Sequence, residues 1–146
     1  MNQETNSEEK QAVVANDALL AIGERLRTQD NRATADPMFC VQILICDTGY
    51  DTSYCDNQCW WNPEQMEVAY DVKPKSGVWD GPYGYKERWE TIQSFFTEGG
   101  AKEYLDLDGH NVARRAHNGK IRIYADTFRR CPEMLTIRKF LLANAK

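Results

Sequence analysis

Apolar side chains recur at helical spacing near the amino end of the chain, where residues 9–27 predict an amphipathic helix that ends near Thr28. The positions that carry this pattern are Val13, Val14, Ala18, Leu19, Ile22 and Leu26. Residues 1–8 are polar throughout and are predicted to be disordered. We therefore expect a disordered segment over 1–8 and a single domain over 9–146.

The strongest strand pattern covers residues 38–46, which are nearly all apolar or β-branched and follow Pro37. Such a run predicts a central strand buried on both faces. Alternating patterns predict further strands at 66–71, 88–96 and 121–125. The polar, aromatic residues 49–65 predict a long loop that could pair into a hairpin. Residues 73–85 hold two prolines and three glycines and predict irregular structure.

Two more helices are predicted in the second half of the chain. Thr97 is a suitable N-cap for the first, which we expect to end at Gly109, His110 and Asn111. Asn118-Gly119 is a tight-turn signal, and Pro132 is suited to open the last helix. Strands without helical crossovers between them favour a mostly antiparallel sheet with helices packed on one face. This is an α+β fold.

The chain has 146 residues, of which 42% are hydrophobic, and this is typical of one globular domain. It has neither an apolar run long enough for a membrane span nor the pattern of a signal peptide. The net charge of −4 is unevenly spread: residues 1–109 hold 9 basic and 20 acidic side chains, and residues 110–146 hold 9 and 2. Two oppositely charged faces, or internal pairing of the two parts, would both explain this asymmetry.

No catalytic motif is present, and no phosphate-binding or dinucleotide-binding motif either, so we expect neither an enzyme nor a cofactor. His110 is explained by capping and His117 by a solvated turn. Cys55 and Cys59 have the C-x3-C spacing of one half of a zinc site, but no second pair with suitable spacing accompanies them. We therefore expect no bound metal, and with an odd number of cysteines we expect mostly reduced thiols.

Two loops combine tyrosine and tryptophan with acidic residues, a mixture that is enriched at protein interfaces and would attract a basic partner. The candidate binding residues are Tyr50, Asp51, Tyr54, Asp56, Trp60, Trp79, Tyr83 and Tyr85. Burial of tryptophan in the core, with tyrosines covering it, is the alternative explanation.

The basic carboxyl-terminal third predicts a second candidate surface, for nucleic acid, because cations and aromatic rings track and stack a phosphate chain. Its candidate residues are Arg114, Arg115, Lys120, Arg122, Arg129 and Arg130, with Tyr124 and Phe128 among them. The overall acidity, with an isoelectric point near 5.2, opposes this interpretation.

The carboxyl-terminal half also resembles a family of small accessory proteins of tailed phages and prophages. The resemblance is carried by F-T-x-x-G-A-x-x-Y-L at 96–105, G-H-N at 109–111 and R-I-Y at 122–124. It covers roughly the last fifty residues, with weaker similarity around Cys40 and in the YDTSYCDN segment, and the chain departs from the short form of the pattern by an insertion at 112–120.

The resemblance implies a setting in the bacterial cytoplasm during infection or lysogeny. It implies a non-enzymatic product that binds a host protein or defence complex, since anti-CRISPR proteins and other anti-defence proteins are one group in that setting. The expected function is stoichiometric inhibition of a bacterial defence system such as CRISPR-Cas, and the alternative is a nucleic-acid-binding phage regulator.

Overall fold

The computed structural model describes residues 16–145. The three helices are α1 (16–28), α2 (Glu98–Arg115) and α3 (Pro132–Ala143). The five strands are β1 (Pro37–Tyr50), β2 (Asn57–Asn62), β3 (Glu67–Tyr70), β4 (Asp80–Phe95) and β5 (Ile121–Thr127). The predicted α+β fold is confirmed. The predicted disorder at 1–8 and the predicted helical residues 9–15 lie outside the described residues.

One curled antiparallel sheet holds all five strands in the order β3-β2-β4-β1-β5. The long strands β1 and β4 pair from Phe39 opposite Phe95 to Tyr50 opposite Gly84. On its other side β1 pairs with β5 without a register shift. The carboxyl-terminal end of β1 extends past β5, and near that end the other edge of β4 pairs with β2 of the β2-β3 hairpin.

The core lies between the sheet and α2. Phe39, Val41 and Ile43 alternate along β1 and pack with Ala101 and Val112 of α2. Each side chain of this size contributes roughly 1.5–3 kcal/mol when it is fully buried. Because side chains alternate across a strand, the even-numbered residues of β1 point to the face opposite α2.

The predicted start of α2 is confirmed, whereas its predicted end is wrong. The Thr97 hydroxyl accepts a hydrogen bond from the Gly100 amide at 3.0 Å, as an N-cap does. The helix runs through Gly109 and ends at Arg115. Burial of Val112 against the sheet outweighs the cost of a mid-helix glycine, about 1 kcal/mol. His110 is therefore an exposed mid-helix residue and not a cap.

The segment 49–65, predicted as a long loop that could pair into a hairpin, contains β2 at residues 57–62, which pairs with β3 as a hairpin. Residues 80–85, predicted as irregular, form the first part of β4. A register shift between Cys59 and Trp61 and the left-handed backbone of Gly81 (φ +128°) let the β2–β4 pairing continue past Pro82. Sequence patterning missed the strand at 80–85 because glycine and proline are signals of loops.

Helices α1 and α3 pack against each other, with Gly23 of α1 against Leu141 of α3. An ion pair between Arg138 and Asp36 at 3.6 Å ties α3 to the segment before β1, and an ion pair of Arg25 with Glu103 ties α1 to α2. None of the helices within residues 16–145 is long and apolar enough to cross a membrane.

Candidate functional site

A short 3-10 turn, Thr52–Tyr54, follows β1 and displays the most exposed candidate residue. The Asp51 carboxylate caps this turn by accepting hydrogen bonds from the Ser53 amide at 2.8 Å and from the Ser53 hydroxyl at 2.6 Å. These bonds hold the pKa of Asp51 below its ordinary value. The ring of Tyr54 is 77% exposed beside this carboxylate. The turn thus presents an aromatic ring next to a fixed negative charge.

Gly84 of β4 positions this turn. A Cβ atom at Gly84 would lie 2.7 Å from the Cys55 sulfur and 3.2 Å from the Asp51 carbonyl oxygen, which is closer than real side chains pack. Only glycine therefore lets the turn sit directly on the strand. The turn is therefore fixed both by the Asp51 cap and by its close contact with Gly84 of β4.

Two further exposed tyrosines flank the turn, Tyr50 at the end of β1 and Tyr83 in β4, each 40% exposed. The Lys86 ammonium lies 5.0 Å from the centre of the Tyr50 ring, a cation–π contact. Tyr83 lines a shallow cleft of about 210 Å³ together with Trp60 and Trp61 of β2. We name the group Tyr50, Asp51, Tyr54, Asp56, Trp60 and Tyr83 the acidic aromatic end.

The structure separates two of the predicted residues from this group. Tyr85 is only 5% exposed, and its hydroxyl donates to the Asp71 carboxylate at 2.5 Å, so it is a structural residue and no longer a candidate for binding. Trp79 is half-buried just before β4, near Asn62 at the far end of β2, and its indole N–H donates to the Ser76 carbonyl at 2.9 Å.

Beneath the acidic aromatic end lies a cluster of thiols and tyrosines. Burial raises the pKa of the Cys46 and Cys59 thiols, so both stay protonated and weakly nucleophilic at neutral pH. Burial and the neighbouring Cys46 thiol raise the pKa of Tyr70 to about 12. The Tyr70 ring also contacts the rings of Tyr85 and His117 edge-on, at 5.1 and 4.8 Å between centres. His117 is thus half-buried against Tyr70 instead of lying in a solvated turn.

Residues 16–145 contain no group of three or more histidine, cysteine or acidic side chains placed to hold a metal ion. Cys59 is buried in β2, while Cys55 packs on Gly84. Within the described part of the chain, Cys55 and Cys59 are therefore not joined by further side chains that could complete a metal site.

The structure distributes the predicted basic residues over three places. Arg114 and Arg115 lie in the last turn of α2, and Lys120 follows them just before β5. Arg129 and Arg130 lie beyond the other end of β5, in the connection to α3. A seven-residue strand spans roughly 20 Å, so these two groups do not form one patch.

Arg122 lies between those groups, in β5, on the face opposite α2. Its guanidinium stands 4.3 Å from the centre of the Trp89 ring and 4.8 Å from that of Tyr124. Its Nε donates to the Gln42 side-chain oxygen at 2.7 Å, and Gln42 in turn donates to the Thr91 hydroxyl at 3.0 Å. The side chains of three neighbouring strands thus fix one arginine between two aromatic rings.

Sequence reasoning missed Gln42, although a signal was present: it is the single amide in the apolar run of β1. A polar residue buried in a central strand needs a hydrogen-bonding partner, and here the partners are Arg122 and Thr91. The role of Trp89 depends on register between β4 and β1, which the sequence pattern does not give.

The comparisons found no matching family model, no similar curated protein and no similar solved structure. The proposals below therefore rest on the residues and the geometry, together with the resemblance described above.

Proposed function

We propose that this chain is a phage-encoded, non-enzymatic accessory protein that works by stoichiometric binding to a host protein through its acidic aromatic end. In this proposal the chain acts in the bacterial cytoplasm, and the bound partner is a component of a defence system such as CRISPR-Cas. The phage setting comes from the sequence resemblance, and the choice of surface comes from the geometry.

The observation that carries the choice of surface is the exposure of Tyr54 on a turn that is fixed at both sides. A large aromatic side chain exposed in isolation has no stabilising role in the monomer, but it desolvates a large rigid area when a partner covers it. The cap by Asp51 and the seat on Gly84 reduce the conformational entropy that such a contact would lose.

The charges around Tyr54 favour a basic partner. Asp51 and Asp56 are exposed on either side of the tyrosine in sequence, and Glu87 is exposed in β4. Lys86, a cation of β4, is engaged with the Tyr50 ring. Electrostatic complementarity of this kind accelerates association and makes it sensitive to salt.

The binding part of the proposal is tested by affinity purification from a phage-infected bacterium with tagged wild type, Tyr54→Ala and Leu107→Ala, followed by mass spectrometry. Leu107 is 89% exposed on α2 and serves as the matched control for loss of an exposed apolar side chain. We expect one host protein to be captured in a fixed molar ratio by wild type and Leu107→Ala, and to be lost with Tyr54→Ala. Equal capture by all three proteins would refute the choice of surface.

The inhibition part has its own test. The chain is expressed in a bacterium whose CRISPR-Cas system targets an infecting phage, and plaque formation is counted with wild type and with Tyr54→Ala. Restored plaque formation with wild type alone is the expected result. No restoration with either protein, despite capture of a partner, would limit the proposal to protein binding.

Nucleic-acid binding by the basic carboxyl-terminal third remains the alternative function. It has weaker support as a single surface, because Arg114, Arg115 and Lys120 lie at one end of β5 while Arg129 and Arg130 lie at the other. Retardation of random DNA or RNA at low salt, weakening steeply as salt rises, would support it.

A further inference from the structure

We propose that the sheet face opposite α2 binds a segment of single-stranded nucleic acid, with one phosphate on the Arg122 guanidinium and one base stacked on Tyr124. This inference is independent of the proposed protein-binding function, because it uses a different surface and none of the residues of the acidic aromatic end.

The first step concerns Arg122, whose guanidinium is held in place by uncharged side chains. Gln42 fixes Nε from within the sheet, and the Trp89 and Tyr124 rings flank the guanidinium. Within residues 16–145, no carboxylate oxygen lies within 4.0 Å of any Arg122 nitrogen. The terminal nitrogens of a guanidinium form a planar fork that suits a phosphate or carboxylate group.

The site is built from the interior of the sheet. Gln42 is about nine-tenths buried, and it links Arg122 of β5 to Thr91 of β4 across β1. An arginine positioned by such a chain of bonds loses little conformational freedom when it binds an anion. Two acidic residues on this face, Glu87 and Asp126, do not pair with Arg122. Glu87 lies opposite Cys46, and Asp126 accepts a hydrogen bond from the Thr127 amide at 2.8 Å.

The second step concerns the class of ligand. Tyr124 is 46% exposed while it touches Arg122, so part of its ring is free to stack. An aromatic ring on a sheet face next to a cation is the arrangement that single-stranded nucleic acid uses, base on ring and phosphate on cation. An acidic peptide would use the cation but would gain little from the ring, so the pair favours a nucleic acid.

The test measures fluorescence anisotropy of fluorescein-labelled oligo-dT and oligo-U at low salt with wild type, Tyr124→Ala and Tyr124→Phe. We expect wild type to bind with a Kd of roughly 1–100 µM. Tyr124→Ala should weaken binding by roughly 5- to 150-fold, whereas Tyr124→Phe, which keeps the ring, should bind like wild type. Arg122→Lys keeps the charge but loses the planar fork and should also weaken binding.

The salt dependence separates this site from the scattered basic residues. One or two phosphate contacts predict that log K falls against log salt with a slope of about −0.7 per contact. A steeper slope that Tyr124→Ala leaves unchanged would assign binding to those other residues and overturn the proposal. Absence of binding up to about 100 µM protein, or equal binding by Tyr124→Ala and wild type, would also overturn it.

Two controls complete the test. Poly-glutamate that competes as well as unlabelled oligo-dT would show that the occupant is an acidic peptide and would overturn the assignment to nucleic acid. Tyr54→Ala should bind oligo-dT like wild type, so that failure of this inference and failure of the proposed protein-binding function are distinguishable. Arg122→Lys removes the hydrogen-bond donor to the Gln42 oxygen. If that variant does not fold, the comparison of Tyr124→Ala with Tyr124→Phe tests the proposal by itself.

Discussion

The backbone of Gly23 in α1 lies directly against the carbonyl oxygen of Leu141 in α3, so closely that a methyl group at position 23 would overlap that oxygen. The two helices therefore cross at a point where only glycine fits. Leu141 is buried at this crossing, and Leu26 is buried one turn further along α1. The close approach of the two backbones allows these leucines to be buried.

Gly23→Ala should therefore destabilise the protein. Overpacking against a backbone atom costs about 1–3 kcal/mol, and the better helix propensity of alanine offsets up to about 1 kcal/mol of that. We expect a net loss of about 1–2 kcal/mol in the free energy of unfolding, measured as a lower urea midpoint. An unchanged midpoint would mean that α1 does not pack on α3 in solution.

Gly109→Ala should have the opposite effect. In the structure Gly109 is inside α2, and a Cβ atom there would meet only the Leu105 Cβ at an ordinary 3.8 Å. Alanine should therefore raise the free energy of unfolding by up to about 1 kcal/mol through helix propensity. A helix ending at Gly109 would require a left-handed glycine, and alanine would then be destabilising. The sign of the change in urea unfolding decides between the two.

The contrast between these glycines shows what the sequence could and could not predict. Apolar periodicity located β1, and capping chemistry located Thr97, because both signals are local. The end of α2 depended on Val112 meeting Phe39, Val41 and Ile43, which are far away in sequence. Residues 80–85 look like a loop by composition and became a strand only because β2 pairs with them.

The candidate sites also contain some features that the sequence could suggest and others that it could not. The exposed tyrosines Tyr50, Tyr54 and Tyr83 could be suggested from a polar, aromatic composition. Composition could not show that Tyr85 is instead a buried hydrogen-bond donor to Asp71, because the environment of Tyr85 is set by strand register. The arrangement of Arg122 between Trp89 and Tyr124 likewise requires the order of β4, β1 and β5 in the sheet.

Thr97→Ala should cost about 1 kcal/mol of stability, because it removes the cap on the Gly100 amide at the start of α2. Thr97→Ser keeps the hydroxyl and should recover most of that loss. Thermal unfolding followed by circular dichroism gives the comparison. If serine and alanine lower the melting temperature equally, the hydroxyl has no capping role and the threonine methyl group is what matters.

Stability should fall as the pH rises above about 9–10, because buried thiols and phenols resist ionisation only in the folded state. The hydrogen bond to Asp71 and burial raise the pKa of Tyr85, and burial raises the pKa of Tyr70 to about 12. Burial also raises the pKa of the Cys46 and Cys59 thiols. A group whose pKa is higher in the folded protein than in the unfolded chain adds stability that is fully present below the unfolded pKa. That contribution is lost as the pH rises through the folded pKa, so the urea midpoint should decrease steadily through this alkaline range.

The absorbance of tyrosinate provides a site-specific measure of the same effect. Tyr70 and Tyr85 should ionise late, because burial raises the pKa of Tyr70 and the hydrogen bond to Asp71 raises the pKa of Tyr85. Tyr85→Phe should remove one late-ionising phenol and reduce the alkaline loss of stability, because the proton uptake that distinguishes the folded and unfolded states is then smaller. If Tyr85→Phe loses no late-ionising phenol relative to wild type, Tyr85 is not held by Asp71, and the strand register beneath the acidic aromatic end differs from the one described.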